Sequence, residues 1–171
     1  MNLYLCGMIG SGKSAIGERL AARLGRPFFD LDAEMDRELG GSFHELVRAE
    51  GWLPFRELEY AICKRFAARR ATVCALGGGT VRYEWNRDVL RGSGLTVLLE
   101  ADLAVLVERV RRADRPRVNL GVTLEEDLAR LGASAEPLYR TAADLTSRTD
   151  PGRDVDAEAA ALERLVKDRL R

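Results

Sequence analysis

Apolar residues follow two rhythms along the chain. Unbroken apolar runs at Leu3-Tyr4-Leu5-Cys6, Thr72-Val73-Cys74-Ala75-Leu76 and Leu95-Thr96-Val97-Leu98-Leu99 predict strands covered on both faces, as in a parallel sheet. Pro27-Phe28-Phe29-Asp30 is a shorter run ending in an acid, and Asp144-Leu145-Thr146 a weak fifth strand. Between them the spacing becomes helical. Ile16, Leu20 and Leu24 recur every fourth residue, and that segment stops at Gly25 with Pro27 beyond. Helical segments then run to about Ala68, broken near Gly40-Gly41 and Gly51. Further helices are expected around Glu84 to Arg91, from a cap at Asp102 to about Arg112, from about Leu124 to Tyr139, and in the alanine-rich stretch from about Val155. This alternation implies an α/β fold: a doubly wound, five-stranded parallel sheet between two layers of helices. At 171 residues, with no internal repeat or low-complexity linker, one domain over 1–171 is expected.

Composition narrows the function classes. Acidic and basic residues number 27 each and are spread along the chain, so there is no polycation to hold nucleic acid and no basic patch for a membrane surface. Small-molecule substrates are expected instead. No apolar run approaches the roughly 18 residues of a membrane span, and the N-terminus lacks the pattern of a secretory signal, which predicts a cytoplasmic protein. Cys6, Cys63 and Cys74 are odd in number and unrelated in spacing; they read as small buried hydrophobes, reduced in a cytosol. His44 is the single histidine. It excludes a multi-histidine metal site and reads as a polar position on a short helix.

The chemistry begins directly behind the first apolar run. Gly7-Met8-Ile9-Gly10-Ser11-Gly12-Lys13-Ser14 spells G-x-x-x-x-G-K-S, with a strand before it and a helix after it, the context in which this motif is a phosphate-binding loop. Its glycines let successive backbone N–H groups turn inward, and the helix adds its positive N-terminal end. A nucleoside triphosphate is therefore expected over Gly10, Ser11, Gly12, Lys13, Ser14 and Ala15, with Lys13 reaching the β- and γ-phosphates and Ser14 on Mg²⁺. No N-K-x-D motif is present to read guanine, which argues against a GTPase. The third strand runs into Gly77-Gly78-Gly79 instead of ending in an acid, which argues against a transport or motor ATPase. Small-molecule kinases remain.

Each part of phosphoryl transfer then has a candidate. Asp30, at the carboxyl end of the second strand, is the best-placed carboxylate for magnesium. Asp32 either handles the proton of the attacking hydroxyl or caps a helix beginning at Ala33. Arg56 either clamps an anionic substrate or pairs with a neighbour on a solvated helix face. Gly77 to Gly79 either let a substrate press on bare backbone or simply end the strand. Arg115, in the basic stretch from Arg111 to Val122, is either a lid arginine over the phosphates or a solvated loop charge.

The ordered set G-M-I-G-S-G-K-S at 7–14, D-L-D at 30–32, G-W-L-P-F-R-E-L-E at 51–59, L-G-G-G-T-V at 76–81, R-P at 115–116 and P-L-Y at 137–139 resembles the shikimate kinases. The resemblance implies a P-loop NTPase fold of the nucleoside-monophosphate-kinase type, with a helical substrate-binding segment at about 31–60 and a lid at about 111–124. It implies transfer of the γ-phosphate of MgATP to the 3-hydroxyl of shikimate; a self-contained active site within one domain leads to the expectation of a monomer, and the balanced charge to that of no nucleic-acid or membrane partner. By the same resemblance Lys13 and Ser14 hold phosphates and magnesium, Asp30 supports the metal, and Asp32 is the base. Arg56 meets the acceptor carboxylate, Gly78 donates from the glycine run, Arg115 closes on the phosphates, and Arg109 and Pro151 flank the adenine. One position departs from the family: where a second carboxylate-binding arginine usually stands, two residues before the proline of P-L-Y, this chain has Ala135. Arg82, just beyond the glycine run, is the first candidate to compensate. The departure leaves two other readings open, a kinase of another polyol or sugar acid of the gluconate type, and an ATP-binding regulatory relative.

Overall fold

A computed structural model describes residues 1–113, 121–149 and 152–170. Five parallel strands are present: β1 (Asn2–Cys6), β2 (Phe28–Asp30), β3 (Val73–Ala75), β4 (Gly94–Glu100) and β5 (Leu145–Arg148). They are ordered β2-β3-β1-β4-β5. In register, Leu3 faces Val73 on one side and Leu95 on the other. Because β1 lies in the middle, the chain winds to one edge and then to the other. The loops leaving β1, β2 and β3 all open at the carboxyl end of the sheet near this reversal, where ligands bind in such sheets.

Helices α1 (Lys13–Leu24), α2 (Leu31–Leu39), α3 (Phe43–Glu50), α4 (Trp52–Ala68), α5 (Glu84–Leu90), α6 (Leu103–Arg112), α7 (Leu124–Ala142) and α8 (Val155–Val166) connect the strands. Strand alternation divides the core between the two faces. Leu3, Leu5, Val73, Val97 and Leu99 pack with Ile16 and Leu20 of α1 and Ala159, Leu162 and Val166 of α8. Tyr4, Cys6, Cys74 and Leu98 point the other way, onto Leu31, Met35, Phe55, Ile62, Phe66 and Tyr139. The three cysteines are free and buried; burial pushes the Cys6 thiol up to about 12 and the Cys74 thiol up to about 11. No helix among the described residues is long and apolar enough to cross a membrane.

The helix breaks expected at Gly40-Gly41 and Gly51 separate α2, α3 and α4, with Gly40 at φ 66° closing α2. Three details differ from the sequence pattern. The cap of α2 is Asp30, whose side chain accepts from the N–H groups of Asp32 and Ala33, and Asp32 lies inside the first turn. Asp102 occupies the N-cap position of α6 without a capping bond, because its carboxylate is drawn to Arg148 at 2.7 Å. Helix α7 continues past Tyr139 to Ala142 with Pro137 inside it. Thr141 Oγ1 donates to the Pro137 carbonyl.

Candidate active site

One cavity of about 780 Å³ spans the carboxyl end of the sheet, from the loop after β1 to the first turns of α2 and α4 and across to α8. Its middle is the phosphate loop. Gly7 must be glycine because a Cβ there would stand 2.4 Å from the Leu99 carbonyl oxygen, and Gly12, at φ 94°, turns the chain into α1. Lys13 Nζ donates to the carbonyls of Gly7 and Met8 at 2.9 and 2.8 Å, so the ammonium is drawn back across the loop. Gly10, Gly12, Lys13, Ser14 and Ala15 line the cavity. Ser11 does not: it is fully buried beneath the loop, and its Oγ has no hydrogen-bond partner.

Ser14 Oγ donates to Asp30 Oδ2, while Asp30 Oδ1 accepts from the Asp32 and Ala33 N–H groups at 3.0 and 3.3 Å. Two protein oxygens thus meet beside the loop. That is a suitable seat for Mg²⁺, which keeps octahedral coordination and takes its remaining ligands from phosphate and water.

The glycine run has a third use beyond the two the sequence left open. A Cβ on Gly77 would lie 3.1 Å from Asp32 Oδ1, and one on Gly79 would lie 3.2 Å from Arg56 Nη2. The absent side chains are what let Asp32 and Arg56 pack on the glycine run at this end of the cavity. Arg56 does not extend into solvent as a helix-surface arginine would. It sits among the rings of Trp52, Phe55 and Tyr83, 4.4–5.1 Å from their centroids, and donates to Glu59 Oε2 at 2.8 Å. Glu59 is 1 % exposed and also accepts from Thr80 Oγ1 at 2.9 Å and Asn86 Nδ2 at 3.1 Å. Tyr139 donates its hydroxyl to the Gly78 carbonyl, fixing that peptide; burial raises its pKa and the nearby Arg82 charge opposes the rise. Glu59 and Tyr139 end the motifs F-R-E-L-E and P-L-Y, but their spacing assigns them no role. Only the fold brings them to the glycine run.

Arg82, half-buried, follows the glycine run in a 3₁₀ turn (Thr80–Arg82) and lines the cavity, as does Ala135 of α7, which is 1 % exposed. At the opposite end, Arg109 donates to the Gly10 carbonyl at 3.3 Å, to Thr149 Oγ1 at 3.2 Å and to the Thr149 carbonyl. Thr149 Oγ1 in turn donates to the Ser11 carbonyl at 3.0 Å. The structure therefore gathers Lys13, Ser14, Asp30, Asp32, Arg56, Gly77, Gly78, Gly79, Arg82 and Arg109 around one space. Arg115 and Pro151 lie outside the described residues.

The shikimate kinase family model matches residues 9–167. A shikimate kinase from Chromohalobacter salexigens is 40% identical over 149 residues, covering 86% of this chain and 82% of the relative. The structure of a shikimate kinase from Acinetobacter baumannii in complex with shikimate superposes with a TM-score of 0.88 at 33% identity, covering 99% of this chain and 95% of that one. A shikimate kinase from Bacteroides thetaiotaomicron gives a TM-score of 0.89 at 27% identity over 98% of each chain. This chain belongs to the shikimate kinase family.

Proposed function

We propose that the cavity transfers the γ-phosphoryl group of ATP to the 3-hydroxyl of shikimate, with nucleotide and acceptor entering from opposite ends and meeting over the phosphate loop. The supporting observation is that the loop, the Asp32 and Arg56 side chains packed on bare glycine, and the Ser14–Asp30 oxygen pair share one space. Lys13 leaves its loop carbonyls for the β- and γ-phosphates, and the backbone N–H groups of the loop hold the phosphate oxygens. Ser14 and Asp30 would hold Mg²⁺, which neutralises charge on the phosphates when bound. Asp32 orients the acceptor hydroxyl and takes its proton as the oxygen–phosphorus bond forms and the bond to the leaving ADP breaks. Arg56 pairs with the acceptor carboxylate, helped by its stacked rings, which limit its rotamers and exclude water. The roles of Arg115, over the transferring phosphoryl group, and of Pro151, beside the base, rest on sequence resemblance. So do the 31–60 acceptor segment and the 111–124 lid, whereas the monomeric state rests on a self-contained site within one domain and the cytoplasmic address on the sequence pattern.

The test is ADP release with MgATP, with and without shikimate, using Lys13→Ala as the blank and gluconate as a second acceptor. Shikimate-dependent release that is absent in the blank is the expected result. Turnover on gluconate alone, or nucleotide binding without turnover on either acceptor, would overturn this reading.

A further inference from the structure

Tyr83 stands outside every motif, yet its ring meets Arg56. The Arg56 guanidinium carbon lies 4.4 Å from the Tyr83 ring centroid, against 4.6 Å for Phe55 and 5.1 Å for Trp52. Phe55 and Trp52 belong to α4 itself and move with Arg56. Tyr83 comes from a separate element, the turn between the glycine run and α5, where it occupies the N-cap position without a side-chain capping bond. Trp85, 48 % exposed, packs on the Tyr83 ring at 4.8 Å between centroids and 31° between planes. Gly79 bounds the guanidinium on another side, since a Cβ there would stand 3.2 Å from Nη2, and Glu59 Oε2 accepts from Nη1 at 2.8 Å. The guanidinium is thus seated between two elements, with its Nε buried and without a hydrogen-bond partner. The described cavity-lining residues of α7 are Leu131, Ala135 and Tyr139. None of them brings a cation, so an anionic acceptor relies on the arginines of the other walls.

We infer that Tyr83 is a positioning residue for the acceptor carboxylate, acting through Arg56: its ring, backed by Trp85, holds the guanidinium against the glycine run in the orientation that leaves donors for the acceptor. A cation over an aromatic face is attracted by the ring quadrupole, and the flat guanidinium also stacks there. An arginine side chain otherwise samples many rotamers, and a carboxylate that binds it must freeze one. A ring that holds the rotamer beforehand removes that cost before the acceptor arrives. Tyr83 is not among the residues that line the cavity, so its effect passes through Arg56 and needs the ring, not the hydroxyl. This rests on the acceptor reading above and goes further, assigning part of the carboxylate preference to a side chain that no motif marks.

Steady-state kinetics test it, with shikimate and MgATP varied in turn on the unaltered chain, Tyr83→Phe, Tyr83→Leu and Tyr83→Ala. A competing ligand, shikimate with its carboxylate reduced to a hydroxymethyl group, reports on the same pocket without the charge. Tyr83→Ala and Tyr83→Leu are expected to raise the shikimate KM about threefold to tenfold, the range of one partly desolvated cation–π contact, and to leave kcat and the MgATP KM within about twofold. Tyr83→Phe keeps the ring and is expected to behave as the unaltered chain does. The inhibition constant of the hydroxymethyl ligand is expected to stay within about twofold in every variant, since it offers Arg56 no carboxylate. An unchanged shikimate KM in Tyr83→Leu overturns the inference. Equal weakening of shikimate and the hydroxymethyl ligand also overturns it, since that is what a purely structural role predicts. A Tyr83→Phe variant as impaired as Tyr83→Ala overturns it too, because the hydroxyl would then be the group that matters. Tyr83→Leu keeps apolar volume beside Trp85, so the comparison stands even where Tyr83→Ala fails to fold. Absence of shikimate turnover by the unaltered chain overturns the acceptor reading itself.

Discussion

Arg82 and Ala135 line the same cavity from different elements, and of the two only Arg82 brings a charge to it. Arg56 already shares its charge with Glu59, so an acceptor carboxylate bound there meets a partly neutralised cation. Arg82 lines the same space and has no carboxylate partner among the described residues. Arg82→Ala is expected to raise the acceptor KM about tenfold to a hundredfold, the range for losing a charge-assisted contact, with a smaller effect on kcat. Steady-state kinetics with varied shikimate would show it, and an unchanged KM would assign the compensation elsewhere. At this scale the sequence is most informative where function is local. The phosphate loop is eight consecutive residues whose geometry follows from glycine and from the helix behind it. Glu59 is illegible for the opposite reason: in sequence it is one more acid on a helix. Only its burial against Thr80 and Asn86 sets it apart.

Helix α4 carries Arg56 and Glu59 at an i, i+3 spacing that points them to one face. Glu59 then links that helix to the glycine run through Thr80 and to α5 through Asn86. Removing one member of a buried ion pair leaves the other charge uncompensated, so Glu59→Ala is expected to lower unfolding free energy by about 3–5 kcal/mol. Urea denaturation would measure it, and a loss below about 1 kcal/mol would mean that water replaces the carboxylate easily. The elements themselves are largely legible because apolar runs and glycine breaks are short-range signals. The errors occur where long-range partners win. Asp102 turns from its helix to Arg148 on β5, and the start of α2 passes from Asp32 to Asp30 because Asp30 also has to meet Ser14. Helix α7 runs through Pro137 as its sequence pattern predicts, since a ring that removes one bond does not outweigh the packing of Ala135 and Tyr139 against the core, and differs only in continuing to Ala142.

For the molecule as a whole, alternation predicts a parallel sheet but not the order β2-β3-β1-β4-β5, which depends on which crossovers pack together. That order places the ends of β1, β2 and β3 side by side and makes Asp30 a shared post. One of its oxygens receives Ser14 from the nucleotide side, and the other holds the first turn of α2, on which Asp32 stands. With the roles proposed above, the two ligands are expected to be in thermodynamic linkage. Seating one should favour the other, and by reciprocity each should change its partner's affinity by the same factor. Titrating shikimate with and without MgADP, and MgADP with and without shikimate, is expected to give one common ratio above unity. A ratio of one would mean that Asp30 conveys nothing between them. With a ratio above unity, a substitution that merely rotated this carboxylate would leave both halves able to bind and yet make them independent.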